Sequence, residues 1–278
     1  CGSRIESLLE LETGMPQAAK PLAPAPAEET VRFDHVTFAY PGAGAPSLTD
    51  VTFTARRGET IGVIGGTGSG KSSLIGLIPR FYDVTSGRVL VDGVDVRDWD
   101  MEALRRRIGL TPQHTALLRG SLRENLSWRN ENASEDELNQ ALEAAQALPF
   151  VREKPDGLDM QVEQNGRNFS GGQRQRLTIA RALVGKPEIL ILDDSSSALD
   201  FATERDLRHA LSRLTDTTVF IVSQRAASVR AASQILVLDD GIVCGLGTHE
   251  ELMRCCPVYQ EIYYSQFPDE KPKGGAQA

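Results

Sequence analysis

The sequence predicts an α/β fold on a mostly parallel sheet, with a helical subdomain inserted into it. Three observations carry that prediction. Residues 189–192 (ILIL) and 219–222 (VFIV) are unbroken apolar runs of strand length, as central parallel strands covered on both faces require. Each is followed by polar residues and then a helical pattern, the alternation that builds α/β folds. Between residues 121 and 184 the pattern is helical, and this block falls between strands of the sheet.

In chain order, residues 4–12 (RIESLLELE) space their apolar side chains as a helix does. Residues 16–26 are Pro/Ala-rich and read as an extended linker. The first 29 residues are therefore set apart from a folded domain over 30–267. Residues 31–38 and 47–55 alternate apolar and polar, the pattern of half-buried strands. Residues 60–64 form a short apolar strand that runs into a glycine cluster, with a helix expected from Lys71. Ser134 is placed to cap a helix whose first turn is acidic, and residues 171–183 form a longer one. The helical subdomain spans about 114–184. The tail, 268–278, is polar with Gly and Pro, and disorder is expected there.

The chain has 278 residues, a net charge of −8 and a sequence pI near 5.2. An acidic balance argues against a nucleic-acid partner, which needs clustered Lys and Arg. No apolar run approaches the roughly 18 residues that cross a bilayer, and residues 1–10 hold no apolar leader segment. Cys1, Cys244, Cys255 and Cys256 lack metal-ligand spacing and read as reduced thiols of a cytosolic protein.

Chemistry enters with Gly65, Gly66, Thr67, Gly68, Ser69, Gly70, Lys71 and Ser72, which fit G-x-x-x-x-G-K-[ST] between a strand and a helix. Glycines let backbone N–H groups approach phosphate, and the helix N-terminus adds the positive end of its dipole. Lys71 offers a point charge to the β- and γ-phosphates, and Ser72 offers a hydroxyl to Mg²⁺. A P-loop NTPase core that binds a nucleoside triphosphate is expected. The strand at 189–192 ends in Asp193, a carboxylate placed to hold the metal.

Phe169, Ser170, Gly171, Gly172 and Gln173 narrow the choice, because this run opens a helix just before the Asp193 strand. It resembles the signature motif of ABC ATPases, and the resemblance extends over about residues 31–267. The resemblance implies an antiparallel β part at the N-terminus of the domain. It implies that Tyr40 stacks on adenine, that Ser73 joins the phosphate loop, and that Gln113 senses Mg²⁺ and the γ-phosphate. Ser197, Ala198, Leu199 and Asp200 match the D-loop that crosses to a second domain. Residues 118–126 and 4–12 are similar to the stretch after the Gln loop, and to the end of the last membrane helix, of exporters. Two such domains pair head to tail in that family, with ATP between the phosphate loop of one and the signature of the other. A transmembrane domain and a position on the cytoplasmic face of the membrane are implied.

The sequence departs from the family pattern at three places. Asp194 stands where competent members carry the Glu that acts as general base. Gln224 replaces the switch-loop His and cannot carry a proton. Gln164 stands where an acidic residue is expected, beside Glu163. With the signature intact, these changes resemble the degenerate subunit of a heterodimeric bacterial exporter, slow at its own site and serving a partner's. The alternatives are a competent homodimer, a clamp without turnover, and a soluble ABC ATPase of DNA maintenance. The last needs long heptad insertions, absent between Lys71 and Ser170.

Overall fold

The computed structural model describes residues 15–22, 24, 27–114, 116–195 and 198–271. The segment 4–12, Ser197 and residues 272–278 lie outside them. The architecture agrees with the expected fold class. A four-stranded antiparallel sheet, in the order β2-β1-β4-β5, joins β1 (Glu29–Phe38), β2 (Leu48–Arg56), β4 (Ser86–Val91) and β5 (Val94–Asp95). Beside it lies a six-stranded sheet, in the order β12-β11-β3-β10-β9-β6. Its members are β3 (Thr60–Gly65), β6 (Ile108–Thr111), β9 (Ile189–Asp193), β10 (Thr218–Ser223), β11 (Gln234–Asp239) and β12 (Ile242–Gly247). All its pairs are parallel except β11–β12.

Strand β9 shows why a continuous apolar run was the right signal. Side chains alternate across a strand. Ile189 and Ile191 enter the core between the two sheets, with Phe33, Phe53 and α1 (Lys71–Leu77). Leu190 and Leu192 enter the core of the helical layer. Both faces are covered, so no polar position remains along the strand. Asp92, on the hairpin between β4 and β5, bonds Arg57 at 2.8 Å and Arg107 at 2.7 Å, and both arginines also hold Glu188. This buried junction fixes one sheet against the other.

The helical subdomain holds α3 (Leu122–Ser127), α4 (Glu135–Ala144), α5 (Leu148–Arg152) and α6 (Gly171–Leu183), after α2 (Met101–Arg106). Ser134 caps α4 in a full capping box with Glu137. The block is not wholly helical: β7 (Gly120–Ser121) pairs with β8 (Gln161–Val162) across its base. Two-residue strands leave no period to read. The chain closes with α7 (Phe201–Leu211), α8 (Ala226–Val229), α9 (His249–Cys255) and α10 (Pro257–Gln266). Disorder was expected from residue 268, but Pro268–Glu270 forms a short 3₁₀ turn, held where Tyr263 donates to Glu270 at 2.6 Å.

Candidate functional site

Strand β3 feeds directly into the glycine loop, and α1 begins at Lys71. Gly70 has φ +95°, and a Cβ there would lie 2.6 Å from the Ser47 carbonyl oxygen, so the turn into the helix needs glycine. A Cβ on Gly66 or Gly68 would meet nothing within 4 Å. Gly68 faces an open cleft of about 380 Å³, lined also by Tyr40, Lys71, Ser72 and Ser73 among others. Thr67 is exposed. The Lys71 ammonium donates to Gly65 O at 2.9 Å, Gly66 O at 2.6 Å and Ser69 Oγ at 3.3 Å. Burial holds its pKa below the usual lysine range, against the pull of Asp193 and Asp194. A phosphate oxygen is a stronger acceptor for this ammonium than those neutral oxygens. Tyr40 lies edge-on to Phe38 and Tyr82, and its hydroxyl is 3.0 Å from Ser73 Oγ.

Opposite the loop, Ser72 Oγ donates to Asp193 Oδ2 at 3.2 Å. Burial raises the Asp193 pKa; the Ser72 bond opposes the rise, Asp194 adds to it and Lys71 opposes it. One hydroxyl and one carboxylate suit Mg²⁺, which keeps several waters and takes its other oxygens from phosphate. No cluster of three metal-ligating side chains exists among the described residues. Asp194 follows at φ +46°, with its N–H donating to Val222 O at 2.9 Å. Burial raises its pKa, opposed by Arg225, by Lys71 and by a hydrogen bond with Gln113. The fold thus gathers Lys71, Ser72, Gln113, Asp193 and Asp194 from distant parts of the sequence. Gln224 is exposed at the end of β10.

The Ser-Gly-Gly-Gln run occupies the N-terminus of α6. Ser170 Oγ accepts from Gln173 N at 3.2 Å, and Gln173 Oε1 accepts from Ser170 N at 3.0 Å. Phe169 is buried in the helical layer. A Cβ on Gly172 would come within 3.2 Å of Ala198 O, and one on Gly171 within 3.5 Å of Ala198 Cβ. Gly172 therefore admits the loop that carries Ala198, the buried Leu199 and Asp200, which Gly171 also faces. Asp200 caps α7 through Thr203 N at 2.9 Å.

The family model for ABC transporters matches residues 48–197. The chain belongs to the ABC transporter family. It is a nucleotide-binding domain of the exporter type, and its relatives agree. It is 46% identical over 240 residues to the ABC transporter ATP-binding protein YfiB of Bacillus subtilis (strain 168), covering 86% of this chain and 42% of YfiB. It is 38% identical over 265 residues to the ATP-dependent lipid A-core flippase of Methylobacillus flagellatus (strain ATCC 51484 / DSM 6875 / VKM B-1610 / KT), covering 95% of this chain and 44% of the flippase. A solved bacterial Atm1-family ABC exporter with ATP bound superposes with a TM-score of 0.89 at 30% identity, covering 96% of this chain and 47% of that one. The chain spans less than half the length of each of these proteins.

Sequence reasoning missed two residues of this ABC domain. Gln175, on α6, is buried; its Nε2 donates to Asp194 O at 3.3 Å and its Oε1 accepts from Ala198 N at 3.1 Å. A polar residue on the buried face of a helix was the available signal, because a buried amide needs partners. Gln266, at the end of α10, donates to Gln224 O at 2.8 Å and accepts from Ala226 N at 2.9 Å. An exposed glutamine at a helix end gives no such signal.

Proposed function

We propose that this chain is the cytoplasmic ATP-driven motor of a membrane exporter, one half of a head-to-tail pair, with a slow hydrolytic site of its own. In this reading the phosphate loop and Lys71 hold the triphosphate and Tyr40 meets the adenine. Ser72, Asp193 and Gln113 hold Mg²⁺, which when bound neutralises charge on the transferring phosphate. Asp194 and Gln224 flank the terminal phosphate. Ser170, Gly171, Gly172 and Gln173 serve the ATP of the facing domain, and Ser197, Ala198, Leu199 and Asp200 cross to it.

The observation that carries the reading is the place of Asp194. It follows the Asp193 that bonds Ser72, and it interacts with both Lys71 and Gln113. These neighbours support reading residue 194 as the base, on a side chain one methylene shorter than glutamate. A displacement of about 1 Å lowers a rate by on the order of 100-fold. Gln224 supplies no proton in compensation. An intact signature beside a weakened base points to a non-identical partner with a competent site. A membrane partner fits the groove of about 870 Å³ beside α2, which is lined by Trp128, Arg105 and Arg129 among others; Trp128 is 67% exposed. No helix among the described residues is long and apolar enough to cross a membrane.

One observation favours a second reading, a competent homodimer. Burial raises the Asp194 pKa, which makes its carboxylate a stronger base. Steady-state MgATP hydrolysis separates the two. The natural chain is expected to be nearly silent beside its Asp194→Glu/Gln224→His variant, which gains about 10- to 100-fold. Equal rates would sink the slow-site reading and leave the homodimer.

A further inference from the structure

The loop that carries Gln224 is held from the far end of the chain. Gln266 lies 42 positions beyond Gln224, and its single amide accepts from the Ala226 N–H while donating to the Gln224 carbonyl. A planar amide with a donor and an acceptor pairs with residues two apart as a neighbouring strand does. The amide is itself fixed. Helix α10 packs Tyr259 and Tyr263 into a buried cluster with Ile64, Ala226 and Val229, so it rests on α8, the helix that the switch loop enters. Phe267, the next residue, lies tilted against Tyr263 with ring centroids 4.8 Å apart. The backbone at residue 224 cannot turn without breaking one bond to Gln266 and straining the other.

We infer that Gln266 is a positioning residue, setting the reach of residue 224 toward the terminal phosphate of ATP from the last helix of the domain. The inference rests on the proposed placement of residue 224 and is independent of whether the site hydrolyses. Affinities for a non-hydrolysable ATP analogue and for ADP, measured side by side, test it. Gln266→Ala is expected to weaken the triphosphate by about three- to tenfold, the worth of one hydrogen bond, and ADP by no more than about twofold. In a Gln224→Ala background the same substitution is expected to change neither, because the side chain being positioned is gone. Gln266→Glu keeps the bond from Ala226 N–H and loses the one to Gln224, and is read in place of alanine if that variant melts below the assay temperature. Equal losses for both nucleotides, or an undiminished loss in the Gln224→Ala background, make Gln266 a structural residue only and overturn the inference. If Gln224→Ala alone leaves the preference for triphosphate unchanged, residue 224 does not meet that phosphate, and the inference falls with its premise.

Discussion

The two sides of the nucleotide cleft are built differently. The phosphate loop is held mostly from within: among the described residues, the hydrogen-bond acceptors of the Lys71 ammonium all lie within 6 residues of it. The side that carries Asp194 and residue 224 is held from elsewhere. The turn after β9 hangs on Gln175, 19 positions from Asp194 and 23 from Ala198, and the switch loop hangs on Gln266. A self-contained loop keeps its shape while its surroundings vary. A loop held by remote amides takes its shape from the packing of other helices, so its position responds when those helices shift. The phosphate loop and the turns that carry Asp194 and residue 224 are thus held by separate parts of this domain.

Substitutions can break that separation or sharpen it. The largest effect is expected at Lys71. Lys71→Ala removes a charge-assisted contact and lowers MgATP affinity by about 100-fold, read by calorimetric titration. The fold is expected to survive, because desolvation of the ammonium offsets part of what its bonds to the loop contribute in the empty domain. Next comes Gln175→Ala, which leaves the Asp194 carbonyl and the Ala198 N–H without their partner. A loss of about 1–3 kcal/mol is expected in denaturant melts. MgATP affinity at the phosphate loop stays near that of the natural chain. An equal loss of affinity would show that the two sides are one unit.

The smallest effect is expected from Asp194→Asn. Burial raises the Asp194 pKa, so the folded state binds that proton more tightly than the unfolded chain does. This contribution favours folding fully below the ordinary aspartate range. It is lost as pH rises through the raised pKa. At neutral pH the ionised group therefore weighs slightly against the fold, and Asp194→Asn raises the melting temperature of the empty domain by a degree or two. Near pH 3 the difference vanishes. A lower melting temperature for the variant at neutral pH would mean that Arg225, Lys71 and Gln113 outweigh the burial.

The same contrast decides what could be read from the sequence. Lys71, Ser72 and the glycines declare themselves because one short segment carries all of their geometry. Strand β9 declares itself because both of its faces are buried. Gln175 and Gln266 do not, because each acquires its role only when a helix packs beside a loop distant in sequence. The β7–β8 ribbon was hidden in a helical block by its length. The hairpin at Asp92 carries the buried junction between sheets, yet its charge partners, Arg57 and Arg107, come from two separated segments. The signature glycines were read for what they offer a phosphate. Their closeness to Ala198 arises only once the loop after β9 folds back against α6.

The backbone at residue 194 has a consequence for how such a site ages. At φ +46° it lies in the left-handed region, where aspartate and asparagine are accepted more readily than most side chains. A glutamate would reach further into the cleft but fits that backbone less well; the aspartate eases the turn and shortens the reach. On the proposed reading, in which a facing domain hydrolyses for both, the exchange of glutamate for aspartate at this position therefore runs downhill in stability, and the reverse exchange runs uphill.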